Sequence, residues 1–274
     1  MTNPYPHTPG VVPHPAPVPQ QPRPFQRAID AVSQHMGTVV GATLSWAVLF
    51  ALLAASYVAC LYYFDKVAQL PQDDLNRVGL VVVPAFAAVF LSIMALFVAV
   101  SHARAVDFYS GRRPTYRSYF SLRGAGSPLL AYVLSKTLVF FPIGIFVAAM
   151  ARQQATGGGE ELTPGLLAIC LFILVWCPVV GYLTMFATAA ATEVGPMHAI
   201  IRSAKLTTRY PGGAWATIGV IFLVRLLENF TMNLSSLVTA PYLSFAMVSK
   251  YQELRSRELP PQNFAGGGAG YPVY

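Results

Sequence analysis

His102, Arg104 and Asp107 place a base, a cation and a carboxylate at the end of a long apolar run. Residues three apart share a helical face, so Arg104 and Asp107 can pair with each other. Two readings follow: a site for a phosphate-bearing lipid headgroup, or a local ion pair that finishes the helix. Lys136 lies inside the next apolar run, where a charge is costly and marks a functional site by default. No Asp or Glu stands at matching depth, so Lys136 either snorkels toward the interface, lines a polar cavity or holds a lipid phosphate. Arg202, in a later basic gap, is the fourth candidate for headgroup contact.

Other chemistry is sparse. His35, His102 and His198 all fall beside the ends of apolar runs, and no His or Cys pair has metal-ligand spacing. Cys170 and Cys177 would be about 10 Å apart along one helix, too far to bridge. Free thiols packed as small apolar groups are the expected state. No catalytic residue, metal or cofactor is expected, and the absence of clustered carboxylates ranks an integral membrane enzyme low. Arg225 and Glu228, also three apart, are expected to pair near one end of their run.

The elements that must position these groups are six apolar stretches, at 39–64, 79–101, 128–151, 162–192, 212–230 and 234–249. A ~30 Å hydrocarbon core takes about 20 helical residues. The chain is 55% apolar and only 11% charged, unlike an ordinary soluble domain, where charged residues make up about 25%. Its net charge of +7 does not point to nucleic acid, because the Arg and Lys collect in every second gap between apolar stretches. That alternation puts both termini in the cytoplasm and favours contact with anionic lipid.

Residues 1–24 hold nine prolines and should be extended and mobile, either a docking tail for a cytoplasmic partner or a plain leader. The Pro- and Gly-rich tail at 259–274 is expected to be disordered. No cleavable signal peptide is expected. Phe25, Ile29, Val32 and Met36 fall on one helical face, which predicts an amphipathic interfacial helix with a turn at Gly37. Segments 111–126 and 195–213 repeat the plan, each with an early proline (Pro114, Pro196) and closing glycines. Three copies of interfacial helix plus transmembrane hairpin are therefore predicted. Pro84, Pro142, Pro178 and Pro241 interrupt spans, and Trp176-Cys177-Pro178 is the best candidate for a working kink.

Within 193–223, Ala199, Ile200, Arg202, Ser203, Leu206, Thr207 and Trp215 carry a pattern; Tyr251, Leu254, Arg255 and Arg257 carry a second. Together they resemble the bacterial membrane domain associated with glycerophosphoryl diester phosphodiesterases and its uncharacterised stand-alone relatives. The resemblance covers roughly 25–258 and implies a fold and a lipid-associated context. It does not imply the phosphodiesterase activity, which belongs to a separate soluble domain in the fused members.

The resulting expectation is an all-α polytopic bundle of six transmembrane helices in the bacterial cytoplasmic membrane, with its membrane domain at 25–258. It would be a non-enzymatic accessory or scaffold in lipid or envelope metabolism, touching membrane lipids, with the proline-rich tail as the place for a cytoplasmic or membrane protein partner. The alternative is a transporter or lipid-handling protein with a cavity among kinked spans, for which Ser135, Lys136, Thr137 and Thr184 would have to face one another.

Overall fold

A computed structural model describes residues 23–67, 71–155, 164–230 and 236–258. Residues 1–22, 68–70, 156–163, 231–235 and 259–274 lie outside them. The described residues are helical throughout their ordered elements, with no strand.

Helix α1 (Pro24–Gln34) starts on a proline, which has no amide hydrogen to waste and a φ already suited to the first turn. The chain breaks at His35 rather than at Gly37, and α2 (Met36–Tyr62) starts at once. The His35 ring stands edge-on to Phe108 at 5.2 Å, which fixes the corner. The expected apolar face of α1 is divided. Ala28, Ala31 and Val32 are buried, whereas Ile29 and Met36 stay more than half exposed. Small alanines let α1 approach α9 closely, so protein takes the alanine side and the larger side chains are left outside.

After α2 comes one π-turn (Tyr63–Val67), then α3 (Gln72–Tyr109). The gap expected at 65–78 is thus largely helical. A 3-10 helix (Tyr116–Phe120) leads to α4 (Gly126–Ala155), α5 (Pro164–Leu183) and the single turn α6 (Ala187–Ala190). Helices α7 (Pro196–Arg209), α8 (Pro211–Phe230) and α9 (Ser236–Ser256) complete the order. The expected interfacial helix at 111–126 is replaced by the 3-10 turn. Gly111 and Gly124, at φ of 79° and 75°, bracket it in a left-handed conformation that glycine adopts without strain. Helices α1 and α7 both open on proline, and the corresponding segment between α3 and α4 holds only the 3-10 turn.

One core gathers the ends of almost every helix. It joins Ala31 of α1, Val39 of α2, Val100 of α3, Tyr119, Ala131 of α4, Phe186, Leu206 of α7 and Phe245 of α9. Away from this end the helices splay and turn apolar side chains outward, including Leu52, Val58, Val81, Leu91, Phe141, Val147 and Leu174. Outward apolar surface on long helices is what a lipid solvent selects.

Among the described residues, five helices are long and apolar enough to cross a membrane: Met36–Lys66, Val81–Tyr109, Gly126–Gln153, Pro164–Ala190 and Pro211–Glu228. The sixth expected span falls on α9, which is not apolar enough by this measure. Its Thr239, Ser244, Ser249 and Lys250 are buried in protein, so composition there is not set by lipid contact.

The expected single span at 162–192 is interrupted after Leu183. Ser203 of α7 bridges the interruption: its hydroxyl donates to the Leu183 carbonyl at 2.7 Å and accepts from the Phe186 amide at 3.0 Å. Tyr182 adds a bond from its hydroxyl to the Thr207 carbonyl at 3.0 Å.

Pro142 lies inside α4 and leaves the Leu138 carbonyl, one turn earlier, without its helical donor. Trp176 of α5 fills the place, its indole N–H donating to that carbonyl at 2.8 Å. Cys177 donates its thiol to the Val139 carbonyl at 3.2 Å. Trp176-Cys177 is thus the clasp for the kink in the neighbouring helix as well as the approach to Pro178. Interhelical bonds of this kind contribute about 0.6 kcal/mol on average and up to about 1.7. Trp176→Phe should lower the unfolding temperature in detergent by a few degrees, with a stability loss on the order of 1 kcal/mol. An unchanged unfolding temperature would show that the bond contributes nothing.

Candidate functional site

Two polar clusters stand at the core end of the bundle. The first is built on the last turns of α3. Arg104 is buried, and its guanidinium pairs with Asp107 at 2.8 Å and donates to the Arg123 carbonyl at 2.5 Å. Asp107 also receives the largely exposed Arg112 at 3.3 Å. The spacing of Arg104 and Asp107 does place them on one turn. Their role is to tie the α3–α4 connection down, since Arg104 points inward. Tyr119, packed over this cluster, is 2% exposed, and its hydroxyl has no hydrogen-bond partner. Burial pushes the phenol up to about 12, against a smaller downward pull from Arg104.

The second cluster centres on Glu193, between α6 and α7. Its carboxylate accepts from the Tyr251 hydroxyl at 2.9 Å, from Arg255, and stands 3.6 Å from Arg202. The Arg202 guanidinium also lies 5.8 Å from the centre of the Tyr251 ring. Leu254 is fully buried, and a Cβ on Gly213 would meet its Cδ2 at 2.9 Å. Glycine there is what lets α8 start against the end of α9. The two segments that carry the resemblance, 193–223 and 241–258, are therefore packed on each other.

Glu193 was not among the residues that spacing singles out, because its partners are distant in sequence. One signal was available: it is the sole carboxylate in a gap that holds Arg202, Lys205 and Arg209.

Lys136 stands on the exposed face of α4, with Nζ 5.5 Å from the centre of the Tyr132 ring one turn toward the core end. Neighbouring Ser135 is buried and donates to the Tyr132 carbonyl, Thr137 is exposed, and Thr184 donates to Val180 of its own helix. These four polar groups do not face a common space. Arg202 is engaged by Glu193, so of the four candidates Arg104, Asp107 and Arg202 make internal contacts and Lys136 lies outside.

The histidines do not converge. His35 packs on Phe108, His102 is buried with Nδ1 2.9 Å from the Val98 carbonyl, and His198 is exposed. Among the described residues no three His, Cys, Asp or Glu side chains stand close enough to hold a metal ion. The cysteines are free thiols. Glu228 was expected at the outer end beside Arg225; the Arg225 side chain lies outside the described residues. Glu228 is buried and accepts from the Thr239 hydroxyl of α9 at 2.5 Å. An apolar cleft of about 360 Å³ lies at the far end, between α2 and α3, lined by Val58, Leu61, Tyr62, Phe64 and Val78, with Asp65 at its edge.

An all-helical apolar bundle with several helices able to span a membrane defines the class: a multi-pass membrane protein. No protein-family model, curated protein or solved structure matches the chain.

The two clusters predict opposite outcomes for loss of one hydroxyl. Tyr251→Phe removes a bond to a carboxylate, an interaction worth about 1.5–3 kcal/mol, and should lower the unfolding temperature. Tyr119→Phe removes a buried hydroxyl without a partner and should leave stability unchanged or raise it. Alkaline titration gives a second test for Tyr119. A phenol raised in the folded state keeps its full contribution below about pH 10 and loses it as pH climbs toward about 12. Tyr119→Phe should therefore blunt the stability loss over that interval, as read by denaturation at stepped pH.

Proposed function

We propose that the chain is a six-span protein of the bacterial cytoplasmic membrane with both termini in the cytoplasm, acting as a non-enzymatic accessory or scaffold in lipid or envelope metabolism. In this reading α9 is the sixth span, enclosed by its neighbours rather than by lipid. The sidedness follows from the basic residues of 104–123, 202–209 and 250–257, whose segments meet at one end of the bundle. The resemblance at 193–223 and 241–258 supplies the lipid-associated context.

The observation that carries the scaffold reading is how the polar side chains at that end are used. Arg104, Asp107, Glu193, Arg202, Ser203 and Tyr251 bind helix to helix and connection to helix. A transport path would need polar groups aligned through the spans, and Ser135, Lys136 and Thr137 point apart instead.

Topology is the first test. Cysteines introduced at Gln72 or Gly158 should label with an impermeant reagent from outside intact cells, and one at Ser110 should not. Labelling at Ser110 from outside would reverse the orientation. Function is tested by purification into nanodiscs: a membrane or cytoplasmic partner should be recovered at fixed stoichiometry. Lys136→Met should keep expression and partner recovery, because it removes a charge from the apolar surface. A chain that purifies alone and drives flux in proteoliposomes, with flux lost in Lys136→Met, would sink the scaffold reading.

A further inference from the structure

The connection between α3 and α4 holds Arg112, Arg113, Arg117 and Arg123 and no carboxylate between Phe108 and Ala125. All four arginines are exposed. The same segment exposes Tyr116 (47%), Phe120 (48%) and Leu122 (62%). Interleaved guanidinium and large apolar groups suit the boundary where phosphates meet acyl chains. Neither pure water nor pure hydrocarbon accommodates both.

The depth of the segment agrees with that boundary. The Tyr116 hydroxyl lies 2.6 Å from the Ser45 hydroxyl, and the Phe120 ring stacks on Trp46 at 5.7 Å and 11°. Ser45 and Trp46 lie about 14 Å along α2 from its first residue, at the usual helical rise. The 3-10 helix therefore rests against the flank of a membrane-crossing helix and not beyond its end.

The segment is also held in place from below. Arg104 grips the Arg123 carbonyl and Asp107, and Asp107 grips Arg112. One buried arginine and one carboxylate thus fix the backbone from which the other guanidiniums project. A ligand meeting this array finds the backbone that carries its donors already fixed, which lowers the cost of binding.

We propose that residues 112–123 form a recognition site for anionic phospholipid. Arg112, Arg113, Arg117 and Arg123 would receive the phosphodiester and the negative headgroup through charge-assisted hydrogen bonds. Tyr116, Phe120 and Leu122 lie against the first acyl carbons. Arg104 and Asp107 are positioning residues and do not touch the lipid. The site rests on the membrane reading above only in requiring that this end of the bundle meets a leaflet; it does not depend on the accessory role.

The test uses the full-length, delipidated protein, titrated with phosphatidylglycerol and with phosphatidylcholine of matched chains and read by native mass spectrometry. Phosphatidylglycerol should bind at least tenfold more tightly. Each arginine facing a leaflet is worth roughly fivefold in affinity, so R112Q/R113Q/R117Q/R123Q should bring the two lipids level. The double variant K205Q/R209Q, which removes exposed charge from α7, should keep the preference. Should the quadruple variant fail to fold, R112Q/R113Q and R117Q/R123Q are read separately, each with a partial loss. An unchanged preference in the arginine variants overturns the site, as does an equal loss in K205Q/R209Q. Displacement of phosphatidylglycerol by millimolar inorganic phosphate would assign the arginines to free anion and overturn the lipid reading. External labelling at Ser110 with the lipid preference intact would reverse the proposed orientation while leaving this site standing.

Discussion

Enclosure of a polar helix is the constraint on which the rest of this bundle depends. Helix α9 carries Thr239, Ser244, Ser249 and Lys250 in buried positions, a composition that lipid would not accept on an exposed face. Something must surround it. Alanines on α1 and on the last turns of α3 come close enough to do so, and α2 and α8 close the remaining sides. Lys250 is tolerated because Glu253, one turn on, takes its ammonium at 2.6 Å. The order of the core, with the first and last described helices meeting in it, follows from this need.

Both polar clusters answer a second constraint, that short connections at the core end must be fixed without long elements of their own. Each uses one side chain turned inward against several partners. Arg104 holds the α3–α4 connection through a carboxylate and a backbone carbonyl, and Glu193 holds the α6–α7 connection through two arginines and a tyrosine. The signs are opposite. Around the inward arginine, Arg113 and Arg117 project outward while Arg112 reaches back to Asp107, whereas the glutamate draws Arg202 and Arg255 to itself. That difference separates a surface able to meet anionic lipid from a joint that only binds the protein to itself.

Class, all-helical fold and the positions of the five described helices able to cross a membrane were legible in the sequence, because length and hydropathy alone determine them. The pairing of Arg104 with Asp107 was legible too, since three residues on a helix leave few alternatives. What failed to show had two physical causes. Hydropathy picks out Ile29 and Met36, the side of α1 expected to face the interface, and gives no sign of Ala28 and Ala31, whose small size lets the opposite side pack on α9. The contacts of Glu193 with Tyr251 and Arg255 span 58 and 62 residues and leave no local period to read. The middle interfacial unit looked helical by composition, but Gly111, Pro114 and Gly124 leave room for only a 3-10 turn.

Proline shows how a local liability becomes a tertiary contact. From sequence, Pro178 marked a kink and Trp176 and Cys177 were its neighbours; the geometry assigns those two side chains to the gap that Pro142 opens in α4. The freed carbonyl has no water to turn to, so a donor from the adjacent helix is the available remedy. Because an indole N–H reaches a carbonyl in only a narrow range of separations, the kink also sets how closely α4 and α5 lie and which faces meet. A defect in one helix thereby specifies the packing of two, and hydrophobic contact in lipid, which has little preference for one apolar face over another, could not have done so alone.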